Sequence, residues 1–469
     1  MIDPDAETDF PPAKTGAEKQ DRPHWQRELQ RRVVRTVPKI LALDARRREF
    51  HRRITGRPHV IDFFHQVDDA YSHLALEAIS PLLGRYEIEF RFHLTSQTDR
   101  GHAPEPNLLA AYARRDCAAV APYYGLDFPA EAKAPSKGDC STAEHLLAGL
   151  TSEINSDESG DPRFLEVALQ AGRALWNADR GAMDRLIGSI PTATDEQVDT
   201  AIAEGNELRS RKRHYSGGMF WYAGEWYWGV DRLYHLERRL VELGAARGAG
   251  TELRFDRPSL DPGAIQNDGR LSLEIFPSLR SPYTAMIFER SLALAKSVDI
   301  PVTLRPVMPM VMRGVPAPPA KGLYIMLDAL REARHIGAPF GNMYDPIGAA
   351  VERGFAIWPY AREKGRGAEF IAAFLRAAFV EGRPTGTVAG LRHVVEEAGL
   401  SFDEARRTLD NENWREELED NRRILYEEMG LWGVPSYRLR EEGRPDLSVW
   451  GQDRLWFLAA EIRRRLASD

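Results

Sequence analysis

The sequence predicts an α/β protein built from two consecutive copies of one unit: strand, helix, strand, a helical block, then a hairpin and a final helix. Three observations carry this. The runs IDFFHQVDDAYSHLAL and LEIFPSLRSPYTAMIF each read as a buried strand, a turn and the start of a helix. One register relates them: Asp62 falls on Glu274, Phe64 on Phe276, Tyr71 on Tyr283, and further along Pro104 on Pro316, Tyr112 on Tyr324, Asp116 on Asp328 and Gly125 on Gly337, always 212 positions apart. Finally, EWYWGVDRLYHLERRL and LSVWGQDRLWFLAAEI close the two halves 222 positions apart, so the second copy carries a small net insertion.

Taken in order, residues 1–57 form an extension, acidic and proline-containing to about residue 20 and strongly basic from Arg27 to Arg57. Leu29, Val33, Val34, Val37, Ile40, Leu41 and Leu43 place an apolar stripe on a basic helix. Such a helix packs its stripe on its own domain and solvates its arginines, or it is a docking arm for an acidic protein partner or nucleic acid. Residues 58–245 make the first copy, with YEIEFRF as second strand and a hairpin turning at Ala223-Gly224. The Gly- and Pro-rich stretch 246–267 reads as a linker, and residues 268–469 as the second copy, with IPVTLRP as second strand.

A length of 469 residues with 43% hydrophobic and 28% charged residues suits two globular domains. The net charge of -7 offers nucleic acid no general attraction, and no apolar run reaches the ~18 residues a membrane span needs. With no secretory leader pattern in the first fifty residues, the expected compartment is the cytoplasm and the expected ligand a small molecule. Cys117 and Cys140 stand 23 positions apart, so there is neither a C-x-x-C redox pair nor a thiolate cluster for a metal. His59, His65, His93 and His102 flank the first two strands but lack accompanying ligands at metal spacing. The alternating aromatics from Phe220 to Trp228 read as the two faces of a packed hairpin.

Four blocks in the second half, SPYT (281–284), AAFVEGR (377–383), GVPSY (433–437) and WGQDRL (450–455), resemble the DsbA-like thioredoxin-fold superfamily, and within it the 2-hydroxychromene-2-carboxylate isomerases and kappa-class glutathione transferases. The resemblance implies two tandem thioredoxin-like domains, each with an inserted helical subdomain. It also implies glutathione as cosubstrate or cofactor, with a serine in place of the catalytic cysteine. On that pattern Ser281 is the catalytic residue, an N-cap followed by proline at the first helical position, where helix N-H groups stabilise a thiolate. Val434 and Pro435 match the family's Val and cis-Pro, whose exposed backbone pairs with the cysteinyl part of glutathione. Gly451, Gln452 and Asp453 match the segment that holds the γ-glutamyl end, Asp453 against its ammonium and backbone N-H groups against its carboxylate. Tyr283 and Arg313 are weaker candidates for contact with substrate. The loop PVMPMVMRGVPAPP lacks the lysine and asparagine common in the isomerases, which leaves the substrate open, although Met308, Met310 and Met312 suit an apolar electrophile.

In the first half Asp69 stands where Ser281 does, and Met219 is expected where Pro435 is. A carboxylate beside a thiolate opposes its formation, so chemistry is expected only in the second half. The rival classes are a non-catalytic thioredoxin-fold binding protein and a disulfide oxidoreductase, the latter opposed by the missing C-x-x-C. Relatives of the kappa class form dimers, and a tandem chain could meet that need internally, so a monomeric pseudo-dimer and a homodimer are both expected forms.

Overall fold

A computed structural model describes residues 22–151, 162–248, 250, 252–315 and 317–467. The acidic stretch read before residue 20, and Pro316 of the repeat, lie outside the described residues. The chain divides into two compact units, Leu41–Pro258 and Met1–Ile40 with Ser259–Asp469.

The Leu41–Pro258 unit is organised by a four-stranded sheet: β1 (His59–His65), β2 (Ile88–Leu94), β3 (Met219–Tyr222) and β4 (Glu225–Trp228), in the order β2-β1-β3-β4. β1 runs parallel to β2 and antiparallel to β3, and β3 to β4. The other unit repeats the arrangement with β5 (Leu271–Phe276), β6 (Val302–Leu304), β7 (Ser436–Glu441) and β8 (Arg444–Trp450), in the order β6-β5-β7-β8 with the same senses. Between second and third strands each unit inserts a helical block, 106–211 in one and 319–423 in the other. The first helix of each block ends on a glycine in the left-handed region, Gly125 (φ 61°) and Gly337 (φ 68°), where any side chain is strained.

The central strands are apolar because both faces are covered: Ile61, Phe63 and Phe64 on β1 and Leu273, Ile275 and Phe276 on β5 are all buried. Each carries one buried acid, the two 212 positions apart, and each acid meets a base from its parallel neighbour, His93 within β2 and Arg305 just past β6. Asp62 accepts from His93 at 2.8 Å and Glu274 from Arg305 at 2.7 Å, and His93 and Arg305 are themselves 212 positions apart. Lys212 completes the first cluster and Arg438 the second. Of the other histidines that flank these strands, His59 bonds Tyr222, His65 bonds Ser72 and His102 bonds Asp99. Among the described residues no three His, Cys, Asp or Glu side chains are grouped to hold a metal, and no helix is long and apolar enough to cross a membrane.

Two expectations need correction. Residues 246–267 are not a bare linker: Phe255 is fully buried, and the Arg254 and Phe255 N-H groups donate to the Glu237 carboxylate at 2.8 and 2.7 Å. Those charge-assisted bonds tie the stretch to the Leu41–Pro258 unit as far as residue 255. The basic segment is a helix, His24–Thr55, but of its apolar stripe only Val34 is buried, while Leu29, Val33, Ile40 and Leu43 are exposed. Only Arg27 and Val34 on it are buried, Arg27 because its guanidinium reaches the Ile347 carbonyl at 3.1 Å and lies over the Tyr344 ring.

Candidate functional site

The site grows from the end of β5. Helix Pro282–Ser297 starts there because Ser281 holds extended backbone (φ -93°, ψ 118°) and accepts from the Thr284 N-H at 3.1 Å, while Pro282 gives up an N-H that had no partner to lose. The first turn carries no acidic residue, so the partial positive charge of the helix end is not neutralised from within. Ser281 also donates to the Val434 carbonyl at 3.3 Å. This is long for an O-H···O bond, so the hydroxyl can turn to another acceptor at little cost.

Val434 precedes Pro435 through a cis peptide bond, at the entry to β7. The Pro435 carbonyl accepts from the Gly451 N-H at 2.9 Å, which brings the end of β8 alongside. Gly451 has φ 106°, and a Cβ built on it would lie 2.3 Å from Oδ1 of Asp453. Only glycine permits both that backbone and the position of the carboxylate. Gly433 is required for a similar reason, since a Cβ there would strike the Trp450 indole at 2.2 Å. Ser281, Val434, Gly451 and Asp453 are all half-buried, so each is within reach of a ligand.

Three of the residues singled out in the sequence have other occupations. The Gln452 amide is buried and donates to Glu332 at 2.7 Å, leaving only its backbone for a ligand. The Tyr283 hydroxyl donates to buried Asp328 at 2.9 Å, as Tyr71 does to Asp116 at 2.8 Å in the other unit, so it braces the first helix against the helical block. Arg313 spends its guanidinium on the Trp432 carbonyl at 3.0 Å and the Tyr426 hydroxyl at 3.3 Å. It therefore ties the methionine loop to the segment before Val434. Met308, Met310 and Met312 are half-buried.

Sequence reasoning missed Arg280. Its guanidinium makes a two-point pair with buried Asp345, at 2.6 and 2.8 Å, and so anchors the residue immediately before Ser281. Burial alone would raise the Asp345 carboxyl, but Arg280 outweighs it and holds the group below the ordinary carboxylate range. The partners are 65 positions apart, and no local spacing signals such a pair.

The corresponding corner of the other unit differs. Phe64 pairs with Met219 and Phe276 with Ser436, so Met219 aligns with Ser436, and Gly218, not Met219, takes the place of Pro435. The carbonyls agree, because Gly218 accepts from Gly229 at 3.0 Å as Pro435 does from Gly451. The groove is also filled: a Cβ on Gly217, the counterpart of Val434, would lie 2.5 Å from Cβ of Gln66. Asp69 caps its helix by accepting from Tyr71 N-H at 3.0 Å, and burial, with the negative charge of Asp68 beside it, pushes its carboxyl up to about 7 against the pull of those N-H groups.

That shift sets a pH dependence. Unfolded, Asp69 ionises near ~4, so between there and neutrality the folded chain keeps a proton the unfolded chain has lost, and stability falls as pH rises through that window. Asp69→Asn keeps a good N-cap without the charge. Urea denaturation is expected to find the variant more stable than the parent at about pH 8 and equal to it near ~4; an unchanged difference across that range would refute the assignment.

A sheet with two parallel and two antiparallel strands, a helix N-terminus at the end of its central strand and a cis-proline beside it define a thioredoxin-like domain. Residues 272–463 match the DSBA-like thioredoxin domain, so this part of the chain is a DsbA-like thioredoxin domain. No curated protein matches the chain. Among solved structures, a 2-hydroxychromene-2-carboxylate isomerase is 20% identical over 41% of this chain and 95% of its own, with a TM-score of 0.34. The cytosolic disulfide reductase DsbM of Pseudomonas aeruginosa is 24% identical over 42% of this chain and all of its own, with a TM-score of 0.33. A structure of DsbM with GSH is 23% identical over the same shares, with a TM-score of 0.33.

Proposed function

We propose that the chain is a tandem duplication of the DsbA-like domain and that its second copy is a glutathione-dependent isomerase or transferase of the 2-hydroxychromene-2-carboxylate isomerase type. The observation that carries this reading is Ser281: a hydroxyl at a helix N-terminus with no acidic residue in the first turn, bonded weakly to the carbonyl beside the cis-proline. The matching strand order and the paired acids Asp62 and Glu274 support the duplication.

The residues present fit glutathione. Val434 offers its backbone beside the cis-proline for the cysteinyl part, Asp453 a carboxylate for the ammonium, and the start of the turn Gln452–Arg454 backbone N-H groups for the α-carboxylate. Bound glutathione would supply a thiolate that adds to an electrophilic carbon and is later expelled. Ser281 turns its hydroxyl from Val434 towards that sulfur, and the helix end adds its partial charge, so both favour the ionised thiol. Asp453 and the Val434 backbone fix the position of the sulfur. The half-buried methionines 308, 310 and 312 provide an apolar wall for an aromatic or unsaturated substrate. Asp69 in the first copy has the opposite effect on a thiol, which confines the chemistry to one site per chain.

The direct assay mixes the purified chain with glutathione and 2-hydroxychromene-2-carboxylate and follows the substrate's absorbance. Glutathione-dependent loss of substrate that Ser281→Ala suppresses is expected; no turnover together with no glutathione binding would leave only a binding protein. A second expectation concerns Gly451→Ala. The left-handed backbone and the displaced Asp453 cost of order 1–3 kcal/mol, so glutathione affinity should fall by about tenfold or more. Calorimetric titration that finds the affinity unchanged would remove Asp453 from the site.

A further inference from the structure

The sheet of the second copy ends on an open edge. β6 lies outermost in it and pairs only with β5. In that parallel ladder the Leu273 N-H donates to the Pro301 carbonyl at 3.0 Å and the Arg305 N-H to the Ile275 carbonyl at 2.8 Å. Alternate residues of a parallel strand face its neighbour, so Pro301, Thr303 and Arg305 spend their backbone groups on β5 while Val302 and Leu304 turn theirs to the open side. Among the described residues no other protein group bonds to the Val302 or Leu304 backbone.

A cleft of about 740 Å³ opens along this edge, and binding sites commonly measure roughly 300–1,000 Å³. β6 forms one wall of it, Leu292 and Trp358 add apolar surface, and helix Trp414–Arg423 contributes Glu416, Glu417 and Asp420. The charges do not cancel. The two arginines of the cleft are already engaged, Arg362 with Glu417 and Arg305 with Glu274 of β5 at 2.7 Å. Asp420 meets Arg423, which lies outside the cleft, and exposed Glu416 pairs with no cation among the described residues. Negative charge therefore stands beside a row of open backbone donors and acceptors.

We propose that this edge takes an extended segment of a partner protein as a further strand, with lysine or arginine at alternate positions meeting Glu416 and Asp420. Main-chain hydrogen bonds to Val302 and Leu304 supply the affinity, and the two acids select a basic segment. A second copy of β6 is a poorer occupant, because pairing two such edges sets Glu416 and Asp420 against their own copies. Leu292 lies three turns along the helix that Ser281 opens, roughly 16 Å from it, so this site is separate from the one proposed for glutathione and stands or falls without it.

The test titrates the full chain into fluorescein-labelled seven-residue peptides and follows fluorescence anisotropy. A peptide alternating lysine with valine should bind at least ~10-fold more tightly than one alternating glutamate with valine. N-methylation is the sharper readout. Only alternate N-H groups of an added strand face β6, so of two peptides methylated at the lysine or at the valine nitrogens, one should lose ~10-fold or more in affinity and the other should keep it. Glu416→Lys/Asp420→Lys should transfer the preference to the glutamate peptide. Val302→Pro removes an N-H that the β5 ladder does not use and should weaken the lysine peptide by about 3- to 10-fold. Both variants should leave the circular dichroism unchanged. Equal binding of the lysine and glutamate peptides, binding of neither, or an equal effect of the two methylation patterns overturns the proposal. So does self-association in sedimentation that Val302→Pro abolishes.

Discussion

Ser281→Ala is expected to raise the pKa of the bound glutathione thiol by about one to two units, because a hydrogen bond to a charged group contributes roughly 1.5–3 kcal/mol and one unit corresponds to about 1.4 kcal/mol. The thiolate fraction at neutral pH, and any rate that depends on it, then falls by up to about ten- to a hundredfold. The substitution also removes the cap on Thr284 N-H, which alone costs about 1 kcal/mol of stability. Ser281→Asp separates the two effects. It restores a cap of the kind Asp69 provides in the first unit, yet places a negative charge beside the sulfur. Stability should recover while the thiol pKa rises further than in Ser281→Ala. If both variants leave the thiol pKa and the turnover unaltered, the hydroxyl is a cap and nothing more.

Arg280→Ala should be the most destabilising single change near the site. It leaves the buried Asp345 carboxylate without its two-point partner, and breaking such a pair costs about 3–5 kcal/mol. The pH profile tests the cause. In the parent chain the Asp345 carboxyl is depressed, so its contribution is present above the unfolded value near ~4 and is lost as pH falls through the folded one. Without Arg280, burial governs and raises the group, so the variant should regain stability relative to the parent as the solution is acidified. Replacing both partners by apolar residues of similar volume should cost far less than Arg280→Ala. Urea denaturation against pH would show all three, and a loss in Arg280→Ala that does not diminish in acid would place the effect elsewhere.

The sequence is informative wherever a feature is local or periodic. Buried strands appear as IDFF and LEIF, the helix start as Ser-Pro, the cis-proline as GVPSY, and the glycine before Asp453 as WGQD, because each is a short segment with its own backbone requirement. Features made by distant partners are hidden. Arg280 finds Asp345, Gln452 finds Glu332 and Arg313 finds Trp432 only after the helical block has folded back on the sheet. The misplacement of Met219 has a different origin. Motif matching sought a residue to oppose Pro435, but the position is held by Gly218, whose positive φ of 65° leaves no side-chain signature. For the basic helix, composition pointed to buried aliphatics and solvated arginines; Arg27 is instead buried while Leu29, Ile40 and Leu43 face outward. An apolar stripe shows that a face is made for packing, but not against what.

The central claim is that one site per chain, in the second unit, holds glutathione as its thiolate. The most direct measurement is titration of the purified chain with glutathione while the ultraviolet absorbance of the thiolate is followed as a function of pH. One equivalent bound, with a thiol pKa below that of free glutathione, is the expected result. Two equivalents would contradict the silence of the first unit, and binding without a lowered pKa, or no binding at millimolar glutathione, would contradict the role given to Ser281.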